Sequence, residues 1–292
     1  MSAPAIFDRQ LARRRRARAA KTFSEADFLW REITARLSER LDDLTQEFPK
    51  ALALGSRDGL ARNALKGKGG IEWLVESDLA AETLVNQGAR LVLDPEALPF
   101  GGGVLDLVFG AGDLHLINDL PGALIQIRQA LRPDGLFLGA LLGPGTLTPL
   151  TQAFLKAEVE LNAPVSPHVS PFVDIRDAAA LLQRAGFALP VADSEKIVVS
   201  YADPLRLLQD LRMMGEASVL QERSRHPLRR QVLMNAMEKL AETVGPDGRV
   251  AIPFEVIFLA GWSPAASQQQ PAQRGSGSIS LASALKRGQR SS

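Results

Sequence analysis

Residues 48–59 read FPKALALGSRDG. The apolar run 51–54 predicts a short buried strand, Gly55 and Gly59 a tight turn, and the residues from Leu60 onward a helix. Strand, glycine turn and helix form the usual cradle for phosphates and nucleotides in open α/β sheets. Ligands there sit beyond the carboxyl ends of the strands, close to a helix N-terminus. Two positions depart from such a loop. Arg57 stands between the two glycines, and Ala53 occupies the place where an acidic ligand contact would stand.

Further strands follow. Residues 71–77 (IEWLVES) predict a second strand that ends at Asp78, and residues 90–93 a third that ends at Asp94. In a parallel sheet both carboxylates lie on the same edge as the glycine loop. Asp78 falls 19 residues after Gly59, close to the offset of about 20 at which an acidic residue meets a ribose hydroxyl in dinucleotide folds. A carboxylate suits that role because it accepts two hydrogen bonds from a vicinal diol. The plainer alternative for each Asp is a helix cap or turn residue. Residues 79–86 predict a helix between these strands. Residues 104–109 (VLDLVF) predict a fourth strand, Pro121 opens a helix with Asn118 or Asp119 as its cap, and RPDG at 132–135 marks a turn before a fifth strand at 136–142. The strands are apolar runs rather than alternating patterns, as in a parallel sheet covered on both faces. Repeated strand–helix alternation argues for a doubly wound α/β fold.

The flanks complete the organisation. The basic run Arg13–Arg16 with Arg18 lies in a segment with helix-forming composition. It reads as a solvated face, as a docking surface for an acidic partner or an anionic ligand over the sheet, or as a transit peptide; Asp8 and the lack of a serine-rich stretch count against the last. Residues 28–44 predict an amphipathic helix. Helices are expected at 147–161 and 175–185, with the proline-rich loop NAPVSPHVSPF (162–172) between them, and a sixth strand at 197–201. Helices at 204–214 and 227–244 interrupt the sheet as a lid over its carboxyl edge, before a last strand at 250–262. The divisions are therefore a basic segment and helix at 1–47, a core at 48–202, a helical cap at 203–249, the last core strand at 250–262, and a Ser/Gln/Gly-rich tail at 263–292 whose composition predicts flexibility.

Composition removes several function classes. There is no cysteine, which excludes disulfides, Cys-ligated metals and a thiol nucleophile. The three histidines, His115, His168 and His226, are far apart in sequence, so no metal site is signalled. A formal net charge of +1 gives no global case for nucleic acid. No apolar run reaches the roughly 18–20 residues of a membrane span, and the expected location is a reducing cytoplasm. His115, just past the fourth strand, reads as a general base or as a polar core histidine. His168, in the stiff proline-rich loop, reads as a substrate contact or as a loop anchor. Asp113 stands at the end of strand four, where it could face the reacting centre.

These segments together resemble a class I S-adenosylmethionine-dependent methyltransferase. The resemblance rests on the glycine loop, Asp78, Asp94, the LPF and DLV segments and NDLPGALIQIRQALRPDGLFLGALLG. FDR at 7–9, LHLINDLP at 114–121, SPHVSPF at 166–172, DLRMMGE at 210–216 and PAQRGSGS at 271–278 resemble the methyltransferase-like assembly factors of respiratory complex I. The methyltransferase that esterifies a malonyl carrier thioester is a more distant likeness. The resemblance implies a Rossmann-like seven-stranded sheet with the last strand antiparallel and a helical cap inserted before it. It implies S-adenosylmethionine contacts at Gly55, at Arg57 in place of the family glycine, at Gly59, at Asp78 for the ribose and at Asp94 near the adenine. It also implies a complex I subunit as partner, and arginine hydroxylation rather than methyl transfer in that group. Arg57 and Ala53 imply weakened cofactor binding, with Arg57 turned to solvent, to Asp58 or to the cofactor carboxylate. Proximity does much of the work of methyl transfer, so the lack of a catalytic triad does not argue against an enzyme. The alternative is a non-catalytic assembly protein with a degenerate loop.

Overall fold

The computed structural model describes residues 5–85 and 87–268. Seven strands form one sheet: β1 (Lys50–Leu54), β2 (Trp73–Asp78), β3 (Ala89–Val92), β4 (Leu105–Gly110), β5 (Leu131–Leu142), β6 (Ala188–Tyr201) and β7 (Val250–Trp262). The order across the sheet is β3-β2-β1-β4-β5-β7-β6. β1 to β5 pair in parallel, and β7 runs antiparallel to both of its neighbours. The order of strand addition reverses between β1 and β4, which are parallel neighbours. Ligand clefts open at such a switch point, beyond the carboxyl ends of the strands.

Side chains of successive strand residues point to opposite faces, and this alternation divides the core in two. Ala51, Ala53, Leu107, Phe109, Leu136 and Leu138 face α2 (Phe28–Glu39), α5 (Thr148–Glu160), α7 (Pro204–Met213) and α8 (Arg230–Ala241). Leu52, Leu54, Val108, Phe137 and Leu141 face α4 (Leu120–Ala130) and α6 (Ile175–Arg184). All six residues of β4 are buried, which explains why its sequence is apolar except at Asp106, whose carboxylate accepts the Lys50 N–H at 2.7 Å and pairs with Arg132. α4 starts where the sequence signals it: Asp119 accepts the Gly122 N–H at 2.9 Å, and Pro121 stands in the first turn, where its missing N–H costs nothing.

The structure departs from the sequence reading in several elements. The helix expected at 79–86 is a single 3₁₀ turn, Ala81–Thr83; Asn86 lies outside the described residues. The Asp78 carboxylate accepts only the Ala80 N–H, at 3.3 Å, and is otherwise turned to Arg16. β6 begins at Ala188, not Ile197. Its burial alternates along an edge strand, and the charges at Asp193, Glu195 and Lys196 mask that pattern in the sequence. The RPDG turn lies within β5, where a register shift opposite Leu105–Leu107 accommodates it and Asp134 has φ +61°. The second cap helix, α8, packs against α5 on one face of the sheet rather than over its edge. The end of α7 does reach the edge, through Met214 and Glu216. PAQRGSGS and most of the tail lie outside the described residues.

Candidate functional site

The carboxyl ends of β1, β2 and β4 converge, and their loops place Arg57, Asp78 and Asp113 together. The β1 loop is strained. Gly55 and Gly59 have φ +69° and +75°, as a tight turn requires, but Arg57 and Asp58 also sit in the left-handed region at φ +38° and +57°. Arg57 is buried, contrary to any reading that turns it to solvent or to Asp58. Its Nη1 donates to the Met214 carbonyl at 2.9 Å and its Nη2 to the Gly112 carbonyl at 2.7 Å, and it pairs closely with Glu216. The guanidinium lies 4.2 Å over the Trp30 ring. A Cβ on Gly112 would come within 2.7 Å of Arg57 Nε, so only glycine leaves space for this side chain.

The second arginine comes from α1 (Arg9–Ala19). Asp8 caps this helix by accepting the Leu11 N–H at 2.9 Å. Arg9, Ala12, Arg16 and Ala19 share one face, which packs inward, while Arg13, Arg14 and Arg18 are exposed. Arg16 is 2 % exposed. Its Nη1 lies 3.2 Å from both Asp78 oxygens, its Nη2 donates to the Gly112 carbonyl at 2.5 Å, and it pairs with Asp113. At the outer end of α1, Arg9 donates to Asp94 at 2.6 and 3.2 Å. Asp94 and Asp78 also accept from Glu96 N and Ala80 N, so each serves as a turn residue too.

Charge and burial set the protonation preferences. Burial opposes charge on Arg16, yet Asp113 and Asp78 beside it hold its proton more tightly than in water. Burial and the neighbouring Arg16 push Arg57 down. Burial raises the Asp113 carboxyl despite the pull of Arg16. Burial alone would raise Glu216 as well, but Arg57 and His115 hold it well below the usual carboxylate range.

His115 is buried, donates from Nε2 to Glu216 at 3.0 Å and stacks on Trp30 with ring centroids 5.5 Å apart. His115, Asp113, Arg57 and Asp78 are thus brought into one cluster. His168 is not: its Nε2 meets Glu158 at 2.7 Å, and its ring stacks on Phe154 at 4.1 Å. Phe172, from the same proline-rich loop, does approach His115, with centroids 6.4 Å apart. Phe7 exchanges two hydrogen bonds with Asn118, so the FDR and LHLINDLP segments meet at this edge. Sequence reasoning gave no role to Trp30 or Gly112, quoted Arg9 and Glu216 only within the FDR and DLRMMGE segments, and read Arg16 only as part of the basic run. The seven-residue spacing of Arg9 and Arg16, with Ala12 and Ala19 on the same stripe, is a signal that could have found both arginines.

The residues at the expected cofactor positions do not fit S-adenosylmethionine. Asp78, expected at the ribose, is taken up by Arg16 and the Ala80 N–H, and Asp94, expected near the adenine, by Arg9 and the Glu96 N–H. The void beside the loop, lined by Arg16, Phe23, Arg57, Asp58, Thr83 and Met214, is about 10 Å³, room for about one water. Ligand pockets are some 300–1,000 Å³. A cleft of about 660 Å³ lined by Leu98, Gly103, Gln126 and Leu131 lies at the opposite edge of the sheet.

The sheet order, with its antiparallel β7 and a glycine loop after β1, defines a class I methyltransferase fold. The "Methyltransferase domain" family model matches residues 52–139. Two solved structures share the fold. YcgJ from Bacillus subtilis has TM-score 0.54 and 14% identity, over 79% of this chain and 98% of its own. Phosphoethanolamine N-methyltransferase 2 from Haemonchus contortus, in complex with phosphomonomethylethanolamine and S-adenosylhomocysteine, has TM-score 0.50 and 14% identity, over 80% of this chain and 52% of its own. Within this class the chain belongs to the family of the mitochondrial arginine-hydroxylase NDUFAF5. It is 35% identical to that protein from Danio rerio over 97% of this chain and 90% of the relative, and 36% identical to that from Homo sapiens over 94% and 82%. It is also 32% identical to the malonyl-[acyl-carrier protein] O-methyltransferase of Laribacter hongkongensis, over 85% and 87%. These relatives are named as enzymes, and the chain is a member of an enzyme family on this fold.

Proposed function

We propose that this protein modifies an arginine side chain of a respiratory complex I subunit as that complex is assembled. The observation that carries the reading is the carboxyl-edge set. Asp78, Asp113, Glu216, the Gly112 carbonyl and the Trp30 face already hold two guanidinium groups. A guanidinium is planar, always charged, matches carboxylates and stacks on aromatic faces. A substrate arginine presents that same chemistry and would enter by exchanging with one of the two resident guanidinium groups, which keeps the carboxylates paired. The near full-length similarity to proteins named arginine-hydroxylase supports the same substrate class.

In this reading His115, oriented by Glu216, and Asp113 are the groups nearest the reacting arginine. His168, tied to Glu158, anchors the proline-rich loop. S-adenosylmethionine binding is weakened by Arg57 and Ala53. The complex I partner and the cytoplasmic location belong to the proposal; the names of the eukaryotic relatives say mitochondrial, and cell fractionation checks the location directly. A second reading, a non-catalytic assembly protein, is favoured by the two altered loop positions.

The test is a deletion strain complemented with wild type or His115→Ala, with peptide mass spectrometry of the purified complex I subunits. Wild type should restore an arginine heavier by one oxygen atom, the oxygen coming from dioxygen with a two-electron reductant supplied by the cell, and His115→Ala should not. Identical arginine masses in the deleted and complemented strains would sink the modification reading. If assembly were still rescued, the non-catalytic reading would stand.

A further inference from the structure

Three arginines occupy the three places at which a class I methyltransferase would meet its cofactor. Arg9 is on Asp94, Arg16 is on Asp78, and Arg57 fills the space beside the loop. The first two come from a helix outside the sheet, so the loop alteration at Arg57 is one part of a larger change. Arg16 and Arg57 both donate to the Gly112 carbonyl, and both face the same three carboxylates, Asp78, Asp113 and Glu216. Their charges are compensated only as a group. The ribose carboxylate is removed from use by a bond to a guanidinium that is itself buried.

We propose that the S-adenosylmethionine pocket of this chain has been converted into a guanidinium-filled ion-pair core closed by α1, so that the protein as folded does not bind S-adenosylmethionine. The inference replaces the weakened cofactor binding of the functional reading above with none. It moves the cause from the loop alone to the contact between α1 and the sheet edge. S-adenosylmethionine would have to displace Arg16 from Asp78, and both Arg16 and the carboxylates would lose partners in an interior that cannot solvate them. The sulfonium cation of the cofactor would also approach two fixed cations.

The test is isothermal titration of the full-length chain with S-adenosylmethionine, paired with hydrogen exchange of the α1 amides. Wild type should show no saturable heat at millimolar ligand, and α1 protection should be the same with and without it. The loop reversion, Ala53→Asp with Arg57→Gly, should still show none, because Arg9 and Arg16 keep their carboxylates. Arg16→Lys, which cannot reach Asp78, Asp113 and the Gly112 carbonyl together, should lose α1 protection by about tenfold or more in exchange rate. Saturable binding by wild type overturns the proposal, and so does binding restored by the loop reversion alone. If the reverted chain does not fold, the wild-type titration and the Arg16→Lys exchange decide. None of these readouts involves complex I or arginine modification, so this inference and the functional reading fail separately.

Discussion

Glu216 is the residue on which the cluster turns, since it meets both Arg57 and His115. Removing one partner from a buried pair strands the other charge and costs about 3 kcal/mol, so Glu216→Gln should lower stability by roughly that amount in urea unfolding at neutral pH. The sign of its pH dependence follows from its depressed folded value. Such a carboxylate stabilises the fold fully above the unfolded value of about 4.3 and loses that contribution as pH falls below it. Wild-type stability should therefore drop on acidification below about pH 4.5, and Glu216→Gln should drop less steeply. Asp113, whose folded value is raised, works in the opposite direction. At Arg57 two effects oppose. A glycine there would relieve a φ of +38°, worth about 1 kcal/mol, but would lose the Glu216 pair at about 3 kcal/mol. Arg57→Gly should be net destabilising by about 2 kcal/mol in the same assay; a more stable variant would mean that strain outweighs the ion pair.

At the scale of elements, α1 deserves a separate measurement because its docking depends on its inner stripe rather than on its intrinsic helicity. Asp8 caps the helix and also lies near Arg223. Asp8→Ala should cost about 1 kcal/mol and raise hydrogen exchange selectively in α1, leaving β4 unchanged. The element pattern was largely legible in the sequence where burial is uniform. β1, β4, β7 and α4 were read close to their observed ranges, because apolar runs and a Pro-capped start are local signals. The helix expected at 79–86 and the first half of β6 were misread for a common reason: their fate depends on neighbours. Asp78 is shared between the Ala80 N–H and Arg16, and β6 is held by its long pairing with β7.

The whole molecule is a sheet with a hydrophobic cluster packed on each face. Phe258 on β7 is fully buried, with the Arg40 guanidinium 4.7 Å over its ring. Phe258→Ala should cost about 3–5 kcal/mol, seen as a lower midpoint in thermal unfolding, and the loss should far exceed that at exposed Trp73. By itself the sequence determined the class of the fold, since strand and helix periodicities and turn residues act over a few positions. It also placed Gly55, Gly59, Asp78, Asp94 and Asp113 at one sheet edge, because parallel strands bring their carboxyl ends together. What those side chains meet was decided only by the tertiary structure. The opening stretch, FPKALALGSRDG, shows an arginine where a glycine is expected, but nothing local says that its partner is Glu216, 159 residues away. Likewise the N-terminal basic run reads as a solvated face or as a docking surface over the sheet until α1 docks and buries Arg16 on Asp78. Charge pairing at long sequence separation depends on which surfaces the fold brings into contact and dries, and a local pattern carries no record of that.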